Sequence, residues 1–295
     1  AERYERMRNY IFNGAILTGA IAVILTTACA LLCSWILHIL SVPKDIYANA
    51  YQYLLIIFLG IPFTLMYNYL SSILRAVGDS RTPFFFLAFS AVLNIFLDLF
   101  CIVVVKLGCA GAAIATISAQ AISGILCLIF IIKKVHIMSL NKSERTWSGK
   151  AAKELLLMGI PTGLQFSITA IGSMIMQSAN NGLGSMYVSA FTAASRIKQF
   201  TLCPFDAFSS AASVFCSQNF GAGQADRIRQ GLKRGVAVGV IYGIFAGILM
   251  ITAGRVLSMI FLGTEAVGAL DASAKYLSCM GLFYWSLGIL TVTRM

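Results

Sequence analysis

The sequence predicts an all-α integral membrane protein, and three observations carry this prediction. Hydrophobic residues make up 59% of the 295 positions and charged residues 11%, and the mean hydropathy is +0.84. Uncharged stretches such as 11–43 and 107–132 are long enough to cross a hydrocarbon core, which takes about 20 helical residues. The alternation of polar and apolar residues that is typical of membrane β-strands is not seen. Helices are then the structure that satisfies the backbone polar groups in lipid.

The positions of Gly, Pro and charge clusters divide the chain into eight predicted spans. We place them at 11–40, 47–74, 83–105, 110–132, 154–180, 188–215, 234–262 and 273–295. The uncharged run 155–195 is too long for one crossing, and the segment 180–184 predicts the turn that divides it. The basic first ten residues do not resemble a signal peptide. We expect the fold to extend beyond both ends of the chain.

The distribution of Lys and Arg predicts the orientation in the membrane. Fifteen of the 22 lie in segments on one side, namely 1–10, 75–82, 133–153 and 216–234, and four lie on the other, namely Lys44, Lys106, Arg255 and Lys275. Short loops rich in these residues stay in the cytoplasm, so we expect 75–82, 133–153 and 216–234 to be cytoplasmic loops of a multi-pass plasma-membrane protein. The net charge of +11 is then a topology signal.

The expected partner is therefore the lipid bilayer, and nucleic acid is not expected because no soluble module carries the charge. The eight cysteines form no CxxC pair, and Cys in an apolar span behaves as a small hydrophobe. His38 and His136 are isolated. We expect no cofactor and no enzyme activity, since no nucleophile, base and orienting group converge, and we expect a monomer.

An internal repeat divides the chain into two related halves. The series Glu5, Arg6, Met7, Arg8 and Gly14 recurs as Asp226, Arg227, Ile228, Arg229 and Gly235, each pair 221 residues apart. An apolar span follows each copy. Six predicted spans lie within one repeat period of 221 residues. Because six is even, both copies point the same way through the membrane. Repeats of this kind in transporters mark two lobes around a central site, and completing them adds two helices before residue 1 and two after residue 295.

A carboxylate inside a predicted span is a candidate functional residue, because burying its charge costs several kcal/mol. Asp98 is such a residue, and Asn94 precedes it by one helical turn on the same face. The helical rise places Asp98 roughly 22 Å from Pro83 and Thr116 at a similar depth on the next helix. Small residues at the start of that helix allow the two helices to approach closely. We expect Asn94, Asp98 and Thr116 to meet.

These three side chains offer a carboxylate, an amide oxygen and a hydroxyl in a partly dehydrated place. Oxygen ligands suit a hard cation such as Na⁺, and desolvation favours a protonated Asp98. The sequence leaves H⁺ and Na⁺ open. It also leaves open the alternative that Asp98 only joins two helices through Asn94 and Thr116.

The motifs in this region resemble those of multidrug and toxic compound extrusion (MATE) transporters. They are Gly60-Ile61-Pro62, the run from Arg75 to Pro83, Asn94, Asp98, the run from Gly108 to Thr116, and Gln120. Gly159-Ile160-Pro161 and the run from Gln218 to Gly223 look like second-lobe signatures of the same family. The resemblance covers nearly the whole chain. It implies a two-lobe bundle of twelve helices, of which this chain holds about eight.

The resemblance implies an N-terminal lobe at 1–132 (helices 3–6 of the family fold), a cytoplasmic inter-lobe loop at 133–153 and a C-terminal lobe at 154–295 (helices 7–10). It further implies a cation site at Asn94, Asp98 and Thr116, which is a metal site if Na⁺ is the coupling ion. Related members add an Asp from the first helix, which this chain does not contain. Another branch carries an acidic residue in the seventh helix, and span 154–180 has none beyond Glu154. Coupling by the N-terminal lobe is therefore favoured.

Polar residues in both halves are candidates for a substrate cavity. Gln165, Thr169 and Gln177 follow one helix face, Asp206 lies on the next helix, and Gln120 follows Thr116 by one turn. Packing between helices explains the Ser and Thr positions equally well. Arg196 and Lys198 lie two to three turns from Asp206 and are able to balance its charge.

The function expected from the resemblance is a cation-coupled (H⁺ or Na⁺) multidrug efflux antiporter. It would export amphipathic, often cationic small molecules by alternating access. Two alternatives stay open. One is a lipid-linked oligosaccharide flippase of the same superfamily, for which Arg196 and Lys198 are the candidate cavity cations. The other is a truncated membrane remnant that does not transport.

Overall fold

The computed structural model describes residues 2–39, 42, 44–135 and 145–294, and the regular secondary structure of these ranges is helical. The α-helices are α1 Glu2–Ile39, α2 Lys44–Leu59, α3 Ile61–Ala76, α4 Arg81–Leu99, α5 Gly108–Lys134, α6 Gly149–Asn181, α7 Ser185–Gly221, α8 Ala225–Leu262 and α9 Val267–Thr293. A π-helical turn, Phe100–Val104, continues α4. The predicted all-α class is confirmed.

Each of the eight predicted spans corresponds to a helix or to a bent pair of helices. Among the described residues, six helices are long and apolar enough to cross a membrane, and the bent pair α2–α3 makes a seventh. The eighth, α7, has 37 residues but is not among them. Its sequence explains the difference, since Arg196, Lys198 and Asp206 lie inside it.

Several helices extend further than the predicted spans. The predicted loop 216–234 is mostly helix, because α7 continues to Gly221 and α8 already begins at Ala225. Hydropathy marks the hydrocarbon core, and a helix with charged residues continues into the aqueous layer beyond it. The helix α7 ends in a turn at Gly221–Gly223, with Gly223 at φ 70°. The inter-lobe loop 133–153 lies partly outside the described residues, as does His136.

The predicted span 47–74 is bent by 41° between α2 and α3. Gly60 lies at the break, and Pro62 follows in the first turn of α3, where its missing N–H costs little. A Cβ on Gly60 would come within 2.3 Å of the Ile117 side chain on α5. The break therefore lets α2 and α3 follow α5 closely, and it requires a glycine.

The contacts divide the chain into two compact units, Ala1–Thr162 and Gly163–Met295. The division falls inside α6, whose Glu154 bonds Tyr10 of α1. The predicted lobe boundaries at 132/133 and 153/154 stay a prediction.

In the first unit, α5 packs against α2, α3 and α4. Its buried face carries small residues, among them Ala113, Ala119 and Cys127. Leu70, Leu74, Cys127 and Ile131 form the core next to the predicted cytoplasmic ends of α3 and α5. Short side chains let these helices approach closely, as expected for packing in lipid.

In the second unit, α8 and α9 pack through glycines. A Cβ on Gly243 would lie 2.7 Å from the Tyr284 carbonyl oxygen, and one on Gly247 would lie 2.4 Å from the Gly281 carbonyl oxygen. The helix α7 packs against both, and its Phe205 is fully buried beside Tyr284. The backbones of α8 and α9 thus lie in direct contact.

Large apolar side chains cover the outside of both units. Trp35 is 62% exposed, Phe96 65% and Phe283 69%. Such a surface is unfavourable in water but suits a hydrocarbon solvent. The chain is therefore an integral membrane protein.

Candidate functional site

The turn between α4 and α5 fixes the level at which their polar residues meet. Lys106 and Gly108 have φ of 59° and 55°, in the left-handed region, and reverse the chain within residues 105–107. Gly111 then packs against the π turn, where a Cβ would lie 3.1 Å from Cys101 Cβ. The predicted close approach of these helices is thus present. It brings α5 back alongside the last turns of α4.

Asn94 and Thr116 meet across this helix pair. The Asn94 amide donates from Nδ2 to Thr116 Oγ1 over 3.4 Å, and the Thr116 hydroxyl donates to the Ala112 carbonyl over 2.9 Å. The Asn94 Oδ1 atom is left as an acceptor. Both side chains are half-buried. This arrangement presents an amide oxygen and a hydroxyl oxygen at one level of the pair.

Asp98 lies one turn beyond Asn94 on α4, at the last turn before the π turn. Its Oδ1 atom is shielded from solvent and has no hydrogen-bond partner among the described residues. The structure thus joins Asn94 to Thr116 but does not bond Asp98 to either. Buried polar atoms are normally satisfied, and π-helical turns recur at functional sites. The cation site at Asn94, Asp98 and Thr116 stays a prediction.

The candidate cavity residues make local contacts. Gln120 is half-buried on α5, one turn after Thr116. On α6, the Thr169 hydroxyl donates to the Gln165 carbonyl over 2.9 Å, and Gln177 Nε2 donates to Asn181 Oδ1 over 3.0 Å. Their role in a substrate cavity stays a prediction.

Asp206 lies on α7 and is exposed, next to the buried Phe205. Arg196 lies ten residues before it and is also exposed, about 15 Å away along the helix axis. The predicted charge balance between them therefore does not take the form of a direct ion pair in the structure. Lipid penalises exposed charges, so this face of α7 suits a water-filled space.

Asn13 makes contacts that the sequence analysis did not predict. Its side chain is fully buried on α1. Nδ2 donates to the Asn9 carbonyl over 2.8 Å and to the Thr146 carbonyl over 3.2 Å, while Oδ1 accepts from the Ser148 backbone N–H over 2.9 Å. Tyr10 on the same helix bonds the Glu154 carboxylate on α6. These bonds fix the segment before α6 to α1, and an amide at the edge of a predicted span was the only available signal.

Asp79 caps α4. Its Oδ1 accepts from the Thr82 backbone N–H over 3.0 Å and its Oδ2 accepts from the Thr82 hydroxyl over 2.6 Å. These hydrogen bonds, the side-chain one foremost, lower the pKa of Asp79 below its usual range. The spacing of Asp79 and Thr82 was the signal for this cap.

Tyr242 and Tyr284 bond α7 one turn before Pro204. The Tyr242 hydroxyl donates to the Thr201 carbonyl over 3.0 Å, and the Thr201 hydroxyl lies 2.7 Å from that of Tyr284. Two tyrosines of the packed helices thus bond polar groups of Thr201 on α7.

Comparisons with known proteins agree with this fold. The sequence pattern of the MatE family matches residues 1–100 and 161–295. The "Probable multidrug resistance protein YpnP" of Bacillus subtilis is 31% identical over 284 residues, which are 96% of this chain and 63% of that protein. The "Multidrug export protein MepA" of Staphylococcus saprophyticus is 23% identical over 261 residues, 88% of this chain and 56% of that protein. The chain thus spans less than two thirds of the length of these relatives.

Solved structures show the same fold. A point mutant of the Vibrio cholerae MATE transporter VcmN superposes with a TM-score of 0.89 at 19% identity, over 98% of this chain and 66% of that one. A MOP superfamily transporter from Pyrococcus furiosus gives a TM-score of 0.84 at 17% identity, over 97% of this chain and 67% of that one. The resemblance predicted from the motifs is confirmed, and the chain belongs to the MatE family.

Proposed function

We propose that this protein is a cation-coupled multidrug efflux antiporter that exports amphipathic, often cationic compounds by alternating access. One observation carries the proposal: Asp98 Oδ1 is buried without a hydrogen-bond partner among the described residues, one turn from the Asn94–Thr116 bond. A purely structural carboxylate would be paired with a donor. The names of YpnP and MepA support efflux as the class of activity.

The coupling ion in this proposal is H⁺ or Na⁺, held by Asp98 together with the oxygens of Asn94 and Thr116. A proton would sit on the Asp98 carboxylate, whereas Na⁺ would take oxygen ligands from all three side chains. Either cation neutralises a charge that is costly within a span. Cation and substrate must each prefer a different conformation, since a ligand shifts an equilibrium only through unequal affinity for the two states.

Each unit carries candidate residues for substrate contacts. Gln120, Gln165, Thr169 and Gln177 supply hydrogen-bonding groups, and Asp206 supplies a negative charge for a cationic compound. We further propose a monomer in the plasma membrane with residues 75–82, 133–153 and 216–234 on the cytoplasmic side. The Lys and Arg excess in these segments supports that orientation.

The experiment is ethidium transport in proteoliposomes under an imposed H⁺ or Na⁺ gradient. The Asp98→Asn variant keeps the shape of the side chain and removes its charge. We expect its gradient-driven transport to fall to the level of protein-free vesicles. Asp271→Asn is the matched control, because Asp271 is exposed and forms a surface ion pair with Arg255 at 3.2 Å. Equal transport by Asp98→Asn and the parent protein rejects the proposal.

A further inference from the structure

A groove of about 510 Å³ lies between the end of α7 and the start of α8. Phe208, Ala212 and Phe215 line it from α7, and Val238 continues the apolar wall on α8. Arg227 and Arg234 line it from α8 as well. The groove therefore combines an apolar wall with two positive charges.

The basic and apolar parts of the groove lie at different depths. Only the turn 222–224 separates the antiparallel helices α7 and α8. Phe208 lies 13 residues before the end of α7 at Gly221, and Val238 lies 13 residues after the start of α8 at Ala225, so both are about 20 Å from the turn. Arg227 lies in the first turn of α8. The basic end thus faces the membrane surface and the apolar end reaches into the hydrocarbon.

Both guanidinium groups are available to a ligand. Arg227 donates to Gln224 Oε1 over 3.1 Å, within its own helix end. Arg234 has no hydrogen bond or ion pair among the described residues. Arg227 and Arg234 are two turns apart on one face of α8, and both are exposed. No carboxylate lines the groove to neutralise them.

Gly231 keeps the groove open between the two arginines. A Cβ at this position would lie 2.1 Å from Phe215 Cε1. The Phe215 ring therefore lies across the backbone of Gly231 and forms part of the wall. Any larger residue would push the ring into the groove.

The internal repeat shows how the same surface is used in the first copy. At the spacing of 221 residues, Tyr10 corresponds to Gly231 and Asn13 to Arg234. In the first copy Asn13 and Tyr10 bond the segment 146–154, which covers α1. The second copy replaces the amide by a guanidinium and the tyrosine by a glycine. These exchanges remove the amide and the hydroxyl that bond the segment 146–154 in the first copy, and they create a basic, apolar-walled groove.

We propose that this groove binds one anionic phospholipid. Its phosphate lies between Arg227 and Arg234, and an acyl chain runs along Phe215 and Ala212 toward Phe208. Arginine suits phosphate because its planar group donates two parallel hydrogen bonds, and basic pockets between membrane helices bind such headgroups. The site does not depend on the transport activity proposed above.

Native mass spectrometry of the detergent-purified chain, titrated with dioleoyl phosphatidylglycerol or dioleoyl phosphatidylcholine, tests the site. We expect phosphatidylglycerol to bind, and the double variant Arg227→Gln/Arg234→Gln to weaken its binding by about tenfold or more. The matched control is Arg229→Gln/Lys233→Gln, which removes the same charge from the same helix turns outside the groove. The control should bind as the parent does.

A third variant separates a lipid from a soluble anion. Ala212→Phe fills the apolar part of the groove and leaves both arginines in place, and we expect it to lose phosphatidylglycerol as well. Glycerol 1-phosphate, which has no acyl chain, should not compete. Equal losses in the two double variants, equal binding of both lipids, competition by glycerol 1-phosphate, or a dimer of the chain in place of the lipid would each overturn the proposal.

Discussion

The Asn94 amide donates to the Thr116 hydroxyl over 3.4 Å, one helical turn from the buried, unpartnered carboxylate oxygen of Asp98. A hydrogen bond of this length contributes little to stability. Its more important consequence is geometric, because it holds the Asn94 and Thr116 oxygens at one level, one helical turn from Asp98. The bond links the fold of the first unit to the proposed cation site.

Thr116→Val removes the hydroxyl oxygen and keeps the shape of the side chain. If that oxygen is a ligand, cation affinity should fall by about tenfold or more, since even outer-shell partners of metal ions are worth 10- to 100-fold. The measurement is the cation concentration that gives half-maximal transport. Thr116→Ser should restore the parent value.

Ser123→Ala is the matched control for that prediction. Ser123 also joins α5 to α4, through a 3.3 Å bond to the Phe86 carbonyl at another level. The Ser123→Ala variant should lower the free energy of unfolding by about 0.6 kcal/mol, which is typical of a polar contact between membrane helices. The cation concentration that gives half-maximal transport should not change. An equal shift in cation dependence for both variants would mean that Thr116 acts only through packing.

Gly243→Ala should destabilise the second unit. The added Cβ would lie 2.7 Å from the Tyr284 carbonyl and would separate two helix backbones, at a cost of about 1–3 kcal/mol. Thermal unfolding in detergent measures the effect. Gly172→Ala is the control, because nothing lies within 4 Å of its Cβ position on α6. A Tm lowered equally by both variants would contradict this account of the packing.

Asn13→Ala should release the segment before α6. It leaves the Ser148 N–H without its partner, at a cost of about 1–3 kcal/mol, whereas the Thr146 carbonyl keeps the bond from Asn9 Nδ2 over 3.0 Å. Hydrogen exchange should become faster at Ser148 and in the first turn of α6. Asn68→Ala removes an exposed amide from α3. It should leave hydrogen exchange unchanged at Ser148 and in the first turn of α6. Unchanged protection at Ser148 in Asn13→Ala would show that other contacts hold this segment.

The start of α4 should loosen at acidic pH. Because the folded state lowers the pKa of Asp79, its cap is fully present above the unfolded carboxyl pKa, about 3.9, and is lost as pH falls through the lower folded value. Hydrogen exchange at the Thr82 backbone amide, corrected for its intrinsic pH dependence, should therefore become faster below about pH 4. Asp79→Asn should remove this dependence. The same acid acceleration in Asp79→Asn would assign it to another group.

Helix positions and the meeting of Asn94 with Thr116 could be predicted from the sequence, because apolar length marks a span and helical rise fixes the depth of each residue. The start of α8 at Ala225 could not, since hydropathy does not report a helix that continues outside lipid. The bonds of Asn13 join backbone groups more than a hundred residues away, and no local pattern encodes them.

The side-chain rotamer of Asp98 also could not be predicted from the sequence. The helical rise predicted that Asp98 and Thr116 lie at a similar depth. The packing of α4 and α5 decides which neighbour the Asp98 carboxylate bonds. Among the described residues the structure gives Oδ1 no hydrogen-bond partner, whereas the three side chains were expected to meet. That difference strengthens the argument for a bound cation.

The most direct test of the central claim is cation binding by the purified protein, without transport. Proton release on adding ethidium, in weak buffer with a pH indicator, reports H⁺ at the site, and calorimetric titration with NaCl reports Na⁺. The account predicts that the parent and Asp271→Asn give one of these signals and that Asp98→Asn gives neither. A signal of parental size from Asp98→Asn would contradict the assignment of Asp98 as the cation-binding residue.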